Sequence, residues 1–486
     1  MRPSPGRRAG VAWYARGVPS AAAVKAGAVE EAGAVAGEGA GGVAEGSGMA
    51  GPDGAGPGAE AAPGAAAGDR STAAGAVAAR PDAGDACKPP LVLQVLPALA
   101  TGGGGVERAT LDIAAALTAA GRPGIVASSG GALAREVERR GARHITLPLA
   151  SKNPLTVLGN VAPLRRVIAE YGVEVVHARS RAPAWSALLA ARREGVPFVA
   201  TFHGTYNFAP GPLGALKRRY NAVMTAGDRV IANSRFIAAH IGENYKVAAD
   251  RIRVVARGID TDSFDAGRLS TARVVALATA WRLQDGVPVI VLPGRLTRWK
   301  GQALLVEALA RLAARPDTAG RAEPGAPAFQ CLLVGADQGR DAYRAEIERA
   351  IEAAGLAGRV RLTGHCDDMP AAYRLADVVV SASTDPEAFG RVVAEAQAMG
   401  RPVVVAGHGG AAEQVIDGVT GFHFAPRDPE ALAEALARAL SLGADDRARL
   451  AANAAAHVRR HYTTARMCAE TLAVYREVAA ARDRDV

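Results

Sequence analysis

From Leu91 onward, short runs rich in Val and Ile alternate with stretches of helical period. This rhythm limits the possible folds more than any other feature of the chain. The runs are LVLQVLP (91–97), IVASS (125–129), HITLPL (144–149), VEVVHAR (173–179), PFVATFHG (197–204), DRVIANS (228–234) and IRVVARGID (252–260). Helical segments such as VERATLDIAAALTAAG (106–121) lie between most of them. The alternation predicts βαβ units and a parallel sheet, and the continuous apolar character predicts strands covered on both faces. The rhythm restarts at VPVIVLPGRL (287–296) and continues through QCLLVGAD (330–337), RVRLTG (359–364), ADVVVSAS (376–383) and PVVVAG (402–407). Residues 265–286 read as a joint, and the Ala/Pro/Gly-rich residues 312–328 as a surface loop. The prediction is an α/β chain of two doubly wound Rossmann-like lobes, residues 88–275 and 276–460, followed by a last helix over 461–486. Doubly wound sheets bind ligands beyond the carboxyl ends of their strands, so the cleft between the lobes is the expected site.

Hydrophobic residues make up 49% of the 486 and aromatics only 5%, so the core must be aliphatic. No stretch reaches the roughly 18 apolar residues that a spanning helix needs. Cys87, Cys331, Cys366 and Cys468 lack the paired spacing of a zinc knuckle or a disulfide framework, and a cytoplasmic location is expected. Residues 21–80 contain 23 Ala and 15 Gly, too few large side chains to offset the entropy of ordering, so residues 1–87 read as a disordered tail. Arg2, Arg7 and Arg8 precede only a short apolar stretch, Val11 to Ala15, unlike a secretory signal, and Met49 is a candidate later start. Residues 88–260 carry 23 Lys/Arg against 11 Asp/Glu, a net +12, while residues 261–486 carry 27 against 28. A positive field on one lobe suits a polyanionic or membrane-surface partner, although a solvated basic surface has the same composition.

The loop TGGGGVER (101–108) follows the first strand and opens a helix, where glycines allow close backbone approach and free N–H groups face an anion. It fits neither G-x-G-x-x-G nor G-x-x-x-x-G-K-[ST], which argues against a dinucleotide or Walker-type site. In PGRLTRWKGQ (293–302), Arg295 ends a strand and Lys300 precedes the next helix, an arrangement that can hold a diphosphate. Surface cations can also have this spacing. In TDPEAFGRVVAEAQAMG (384–400), Glu387 lies in the strand-end loop and Glu395 in the following helix. A carboxylate suits a vicinal diol, and the N–H groups from Phe389 through Gly390 to Arg391 suit an anion. Helix capping alone would also explain a single Glu there. In HGGAAEQVIDGVTGF (408–422), Glu413 is expected to start a helix. His203, in FHGTY (202–206), is placed at a strand end facing the cleft, and Ser234 at a helix N-cap. Asp260 and Asp262 form a D-x-D away from any phosphate loop, and Asp367 and Asp368 lack companion ligands, so no metal site is expected.

Taken together and in this order, the glycine loop, HG, GRLTRWKG, EAFGRVVAE and GGAAEQVIDGVTGF resemble the retaining glycosyltransferases of family 4, which have the GT-B fold. The resemblance covers about residues 90–480. More loosely, the chain is similar to mannosyltransferases of lipopolysaccharide core assembly. The resemblance implies an acceptor-binding first lobe, a nucleotide-sugar-binding second lobe and a last helix crossing back to the first. It implies that Arg295 and Lys300 grip the donor diphosphate, that Glu395 binds the ribose, and that Glu387 with the backbone after it holds the sugar hydroxyls. His203 would contact the sugar near the reacting centre. Gly104 and Gly105 would lie by the phosphates and the acceptor, and TGHCDDM (363–369), with His365, would line the base pocket. The expected reaction is retaining hexosyl transfer to a glycan or lipid-linked acceptor, without metal or other cofactor, and the looser resemblance suggests mannose as the hexose. Alanine at 388 stands where the family often has glycine. Arg192 and Arg193 with Lys217, Arg218 and Arg219 are candidate contacts for the acceptor or for the anionic inner face of the cytoplasmic membrane, and no nucleic-acid partner is expected. Competing readings are a nucleotide-sugar epimerase of the same two-lobed fold and a non-catalytic nucleotide-sugar-binding protein.

Overall fold

The computed structural model describes residues 88–100, 104–206, 211–315 and 329–485. The expected disordered tail and most of the expected loop 312–328 lie outside these residues, as do Thr101 to Gly103 of the glycine loop. The first lobe holds β1 (Val92–Val95), β2 (Ile125–Ser128), β3 (Arg143–Thr146), β4 (Val175–Ala178), β5 (Phe198–Phe202), β6 (Arg229–Ala232) and β7 (Ile252–Val254). They form one sheet in the order β3-β2-β1-β4-β5-β6-β7. The second lobe holds β8 (Val289–Pro293), β9 (Gln330–Val334), β10 (Val360–Gly364), β11 (Val378–Ser381), β12 (Val403–Ala406) and β13 (Phe422–Phe424), in the order β10-β9-β8-β11-β12-β13. Adjacent strands within each sheet are parallel. The chain belongs to the GT-B architecture of two doubly wound sheets.

The central strands divide their side chains between two apolar layers, as period-two alternation in a covered sheet requires. In the second lobe, Ile290, Leu292, Val378, Val380 and Val404 pack into one core with the helices Gln302–Ala313 and Pro429–Leu440. Their neighbours Val291, Val379, Val403 and Val405 enter the opposite layer with Tyr373 and Val393. In the first lobe, Leu93, Val95, Val176 and Ala178 face one layer. Val92, Val175, Val199 and Ile231 face another, built with Met467, Cys468, Leu472 and Tyr475. A buried aliphatic side chain of this size contributes roughly 1.5–3 kcal/mol, so both faces carry substantial stabilisation.

Those last four residues lie on the helix Thr464–Asp485, which leaves the second lobe and packs on the first sheet. Its Tyr475 hydroxyl lies 2.6 Å from His177 Nδ1, and Glu477 accepts from Arg229 Nε at 2.7 Å and Arg253 Nε at 3.0 Å. The preceding helix, Ala444–His461, packs on the second lobe against the helix Arg391–Ala398. Where the chain returns, Ile259 N donates to Tyr462 O at 2.9 Å and Thr464 N donates to Ile259 O at 3.0 Å. Gly258 permits this approach, since a Cβ there would lie 2.4 Å from Thr464 Cα.

Three local expectations are corrected. IRVVARGID is a strand only over β7, but its alternation persists beyond it: Val255, Arg257 and Ile259 are all buried. FHF (422–424), not among the expected strands, is an edge strand. Glu413 follows a single helical turn, Gly409–Ala412, instead of starting a helix.

Candidate active site in the cleft

In both sheets the order reverses at the middle, between β1 and β4 and between β8 and β11. Loops after β8 and β11 diverge there and leave a crevice at the carboxyl ends of the strands. A cavity of about 620 Å³ occupies this place, lined from the first lobe by Gly105, His203, Asn233 and Arg257 and from the second by Arg295, Lys300, Glu387 and Arg391. Its size suits a small-molecule ligand.

Lys300 follows β8 and Glu387 follows β11, and because those strands are neighbours the two side chains meet. Lys300 Nζ lies 2.8 Å from Glu387 Oε1 and 4.6 Å from the Trp299 ring centroid. The Ser383 hydroxyl donates to the same carboxylate oxygen at 2.6 Å, with Ser381 more distant at 3.4 Å. Burial by itself would raise the Glu387 carboxyl, but the Lys300 ammonium and the serine hydroxyls outweigh it and hold the group below its ordinary value. A lowered carboxylate retains its charge and its stabilising contact at neutral pH, and loses them only as pH falls through that lowered value. Arg295 is exposed and lines the same cavity, while its carbonyl accepts from Gln302 Nε2 at 3.0 Å.

Gly390, at φ 85°, turns the chain into the helix Arg391–Ala398, whose first two residues line the cavity. Phe389 is buried beside them. Arg391 donates to Glu395 at 2.9 Å, one turn along the helix, and the Tyr373 hydroxyl donates to the other Glu395 oxygen at 2.9 Å. Burial raises the Glu395 carboxyl, with Arg391 and Tyr373 offsetting it only in part. Glu395 lines a second cavity of about 390 Å³ with Arg108, Arg273, Asp367 and Met369. Arg391 lines both cavities, so the two adjoin at its side chain.

On the opposite wall, His203 Nδ1 lies 2.7 Å from an Arg257 guanidinium nitrogen, and Arg257 also donates to the Gly105 carbonyl. Gly104 precedes this as the extended N-cap of the helix Gly105–Ala119. His365 is exposed and pairs with Asp367 at 2.9 Å; the neighbours that line the second cavity are Asp367, Met369 and Pro370. Ser234 accepts from Ile237 N at 3.1 Å as an N-cap. Glu413 crosses between lobes and accepts from Arg235 N at 3.0 Å and from Phe236 N. The Asp260 carboxylate closes a local turn, accepting from Asp262 N and Ser263 N, each at 3.1 Å.

Sequence reasoning missed Arg257, Asn233, Trp299 and Ser383. Ser383 and Trp299 had a signal, since each stands beside a motif already marked. Arg257 and Asn233 lie in runs whose pattern reads only as strand and strand end.

The cations and ionised carboxylate of this cavity suit a charged polar ligand, and comparison with known proteins identifies the class. Residues 278–457 match Glycosyl transferases group 1, and residues 103–263 match Glycosyltransferase Family 4. The D-inositol 3-phosphate glycosyltransferase of Xylanimonas cellulosilytica is 35% identical over 303 residues, covering 59% of this chain and 68% of that protein.

The chain belongs to the group 1 glycosyltransferases.

Its match spans about two thirds of the curated relatives' length. A glycosyltransferase from Rickettsia africae is 35% identical with a TM-score of 0.71, covering 80% of this chain and 98% of that one. Anabaena HepE in complex with UDP and glucose is 25% identical with a TM-score of 0.65, covering 79% of this chain and all of the other. The group 1 glycosyltransferase is thus an enzyme of glycosyl transfer. Among its described residues, no helix is long and apolar enough to cross a membrane.

Proposed function

We propose that this glycosyltransferase moves a hexose, with retention, from a nucleoside diphosphate sugar to a hydroxyl of a glycan or lipid-linked acceptor in cell-envelope polysaccharide synthesis. The observation that carries this reading is the Lys300–Glu387 pair at the second-lobe strand ends, in one cavity with Arg295 and across from His203. Departure of the nucleotide builds negative charge on the diphosphate. Lys300, held by Glu387 and the Trp299 ring, offsets that charge with little reorganisation, and the exposed Arg295 supplies a second cation at the same cavity. Glu387, kept ionised, accepts hydrogen bonds from donor-sugar hydroxyls, and Glu395 in the adjoining cavity accepts from the ribose. A front-face transfer assisted by the departing phosphate accounts for retention, since the cavity offers Glu387 as an engaged ion-pair member instead of a free nucleophile. Neither a metal nor another cofactor is required by this scheme.

A panel of UDP- and GDP-linked hexoses, scored for nucleotide release with and without acceptor, tests the proposal. Acceptors are an inositol phosphate, a lipopolysaccharide core and a lipid-linked sugar. Acceptor-dependent release with an anomerically retained product is expected. Isomerisation of the donor without acceptor would instead establish an epimerase, and tight binding with no turnover a sensor.

The same proposal places the enzyme on an anionic bilayer. Leu213 (84% exposed) and Leu216 (65%) lie on the helix Pro212–Asn221 beside Lys217, Arg218 and Arg219. Leu155 (79%) and Leu158 (58%) lie on Pro154–Gly159. The two helices flank Arg181–Arg193, one through packing and the other through a Tyr220–Trp185 ring contact at 6.4 Å, and Arg192 and Arg193 end that helix. Leucines between basic side chains suit an interface of acyl chains and acidic headgroups. Flotation with phosphatidylglycerol vesicles is expected to recover the wild type, and recovery to fall several-fold in Leu213→Glu/Leu216→Glu. Equal flotation of both proteins, or equal flotation on phosphatidylcholine, would remove this surface from the proposal.

A further inference from the structure

We propose that Arg257 is a positioning residue that locks His203 in its neutral Nε2–H form, so that an uncharged hydrogen-bond donor faces the sugar in the cleft. The proposal rests on the reading of this cleft as the donor-sugar site and adds a residue that the motif pattern does not contain.

The argument begins with what a guanidinium can do. It has only donors, so at 2.7 Å from Arg257 the Nδ1 atom of His203 must be the acceptor. A neutral imidazole accepting at one nitrogen carries its proton on the other, which assigns the hydrogen to Nε2. A protonated ring would place N–H against N–H and cation against cation at that distance. Arg257 is itself 7% exposed, and its second contact, to the Gly105 carbonyl, fixes it against the opening of the helix Gly105–Ala119. One side chain therefore ties together the ends of β5 and β7 and the end of the glycine loop.

The remaining face of His203 shows what this arrangement is for. His203 lines the cleft cavity and also a small internal cavity with His177, Arg179 and Thr201, and its Nε2 is buried with no hydrogen-bond partner among the described residues. A buried donor left unpaired is costly, and a ligand oxygen in the cleft removes that cost. The charged and titratable groups around the ring are Arg257, Arg179 and His177. Burial foremost, and then these neighbours, drive His203 well below the usual histidine range. His177 is engaged on both ring nitrogens, by Tyr475 and by Thr201, and Arg179 donates to Gln94 at 2.7 Å. Neither has a free lone pair for His203. Within the proposal, the partner of Nε2–H is an oxygen lone pair of a sugar bound in the cleft, recognised by a neutral donor. With Nδ1 occupied, the ring has no basic nitrogen to accept a proton from the acceptor.

Ring-nitrogen NMR on ¹⁵N-histidine protein tests the proposal without substrate, with His203→Asn assigning the signal. Wild type is expected to show His203 as the Nε2–H tautomer, with no titration from pH 8 to 5. Arg257→Met should show mixed tautomers and a titration in the ordinary histidine range. Arg257→Gln, which retains a donor but loses the charge, should keep the tautomer and regain the titration, and it serves if the Met variant fails to fold. In kinetics, both variants should gain an acidic limb in kcat/KM that wild type lacks, with the larger loss for Met. A His203 that carries its proton on Nδ1 in wild type, or titrates identically in wild type and both variants, overturns the proposal. If the tautomer is as expected but no nucleotide sugar is turned over, it is the transferase reading that fails and the Arg257–His203 lock that stands.

Discussion

Lys300→Ala is expected to lower kcat by about 10²–10³-fold with a smaller change in KM, the loss typical of removing a preorganised charge at a leaving group. The structure adds a second consequence. Glu387 is held below its ordinary value only because Lys300 and the serine hydroxyls outweigh burial. With the ammonium gone, Ser383 and Ser381 remain as its partners and burial pushes the carboxyl upward. Activity of the variant should therefore depend on pH where the wild type does not, rising as Glu387 loses its proton. Combining Lys300→Ala with Glu387→Gln should cost much less than the two single losses added together, because each substitution already disables the other side chain. Turnover of Lys300→Ala within about threefold of wild type at saturating donor would contradict the leaving-group assignment.

The largest expected effect on stability comes from the next residue. Gly301 has φ 76°, and a Cβ there would lie 1.9 Å from the Ala382 carbonyl oxygen. That carbonyl belongs to the segment leaving β11, so the glycine lets the loop after β8 pass directly over it. This passage brings Lys300 to Ser383 and Glu387. Gly301→Ala must displace backbone, and should destabilise the protein by more than about 3 kcal/mol. Gly355→Ala is the control: φ is 68° there, but a Cβ would meet nothing within 4 Å. Its cost should be about 1–2 kcal/mol, from the left-handed conformation alone. Thermal unfolding of the two variants measures the difference, and equal melting temperatures would refute the close-passage argument.

The chain's local chemistry made much of the fold readable. Valine runs such as ADVVVSAS and PVVVAG announce covered parallel strands, and Ser234 announces an N-cap, because both signals act over a few residues. Contacts between distant loops were less accessible. Lys300 and Glu387 were both visible as strand-end residues, but their pairing depends on β8 lying beside β11, an order that no single segment encodes. Glu413 looked like a helix start because the segment after GG is alanine-rich. Its carboxylate instead serves the first turn of Arg235–Tyr245, 178 residues away from Arg235. Arg257 gave no warning, since a cation in an apolar alternating run contradicts the pattern that defines the run. Only the folded lobe shows that the inward position faces a histidine nitrogen and a carbonyl instead of hydrocarbon. FHF is too short for periodicity to declare it a strand.

The hydrogen-bonded crossing at Ile259, Tyr462 and Thr464 gives the molecule a two-stranded hinge pin: one strand leaves the first half there and the other comes home. Any opening or shutting of the gorge has to flex both at one level. It also makes the carboxyl terminus an organ of the amino-terminal half. Shortening the protein before Thr464 would strip Tyr475 and Glu477 from the sheet they brace and leave the halves joined by the single crossing through Ile259.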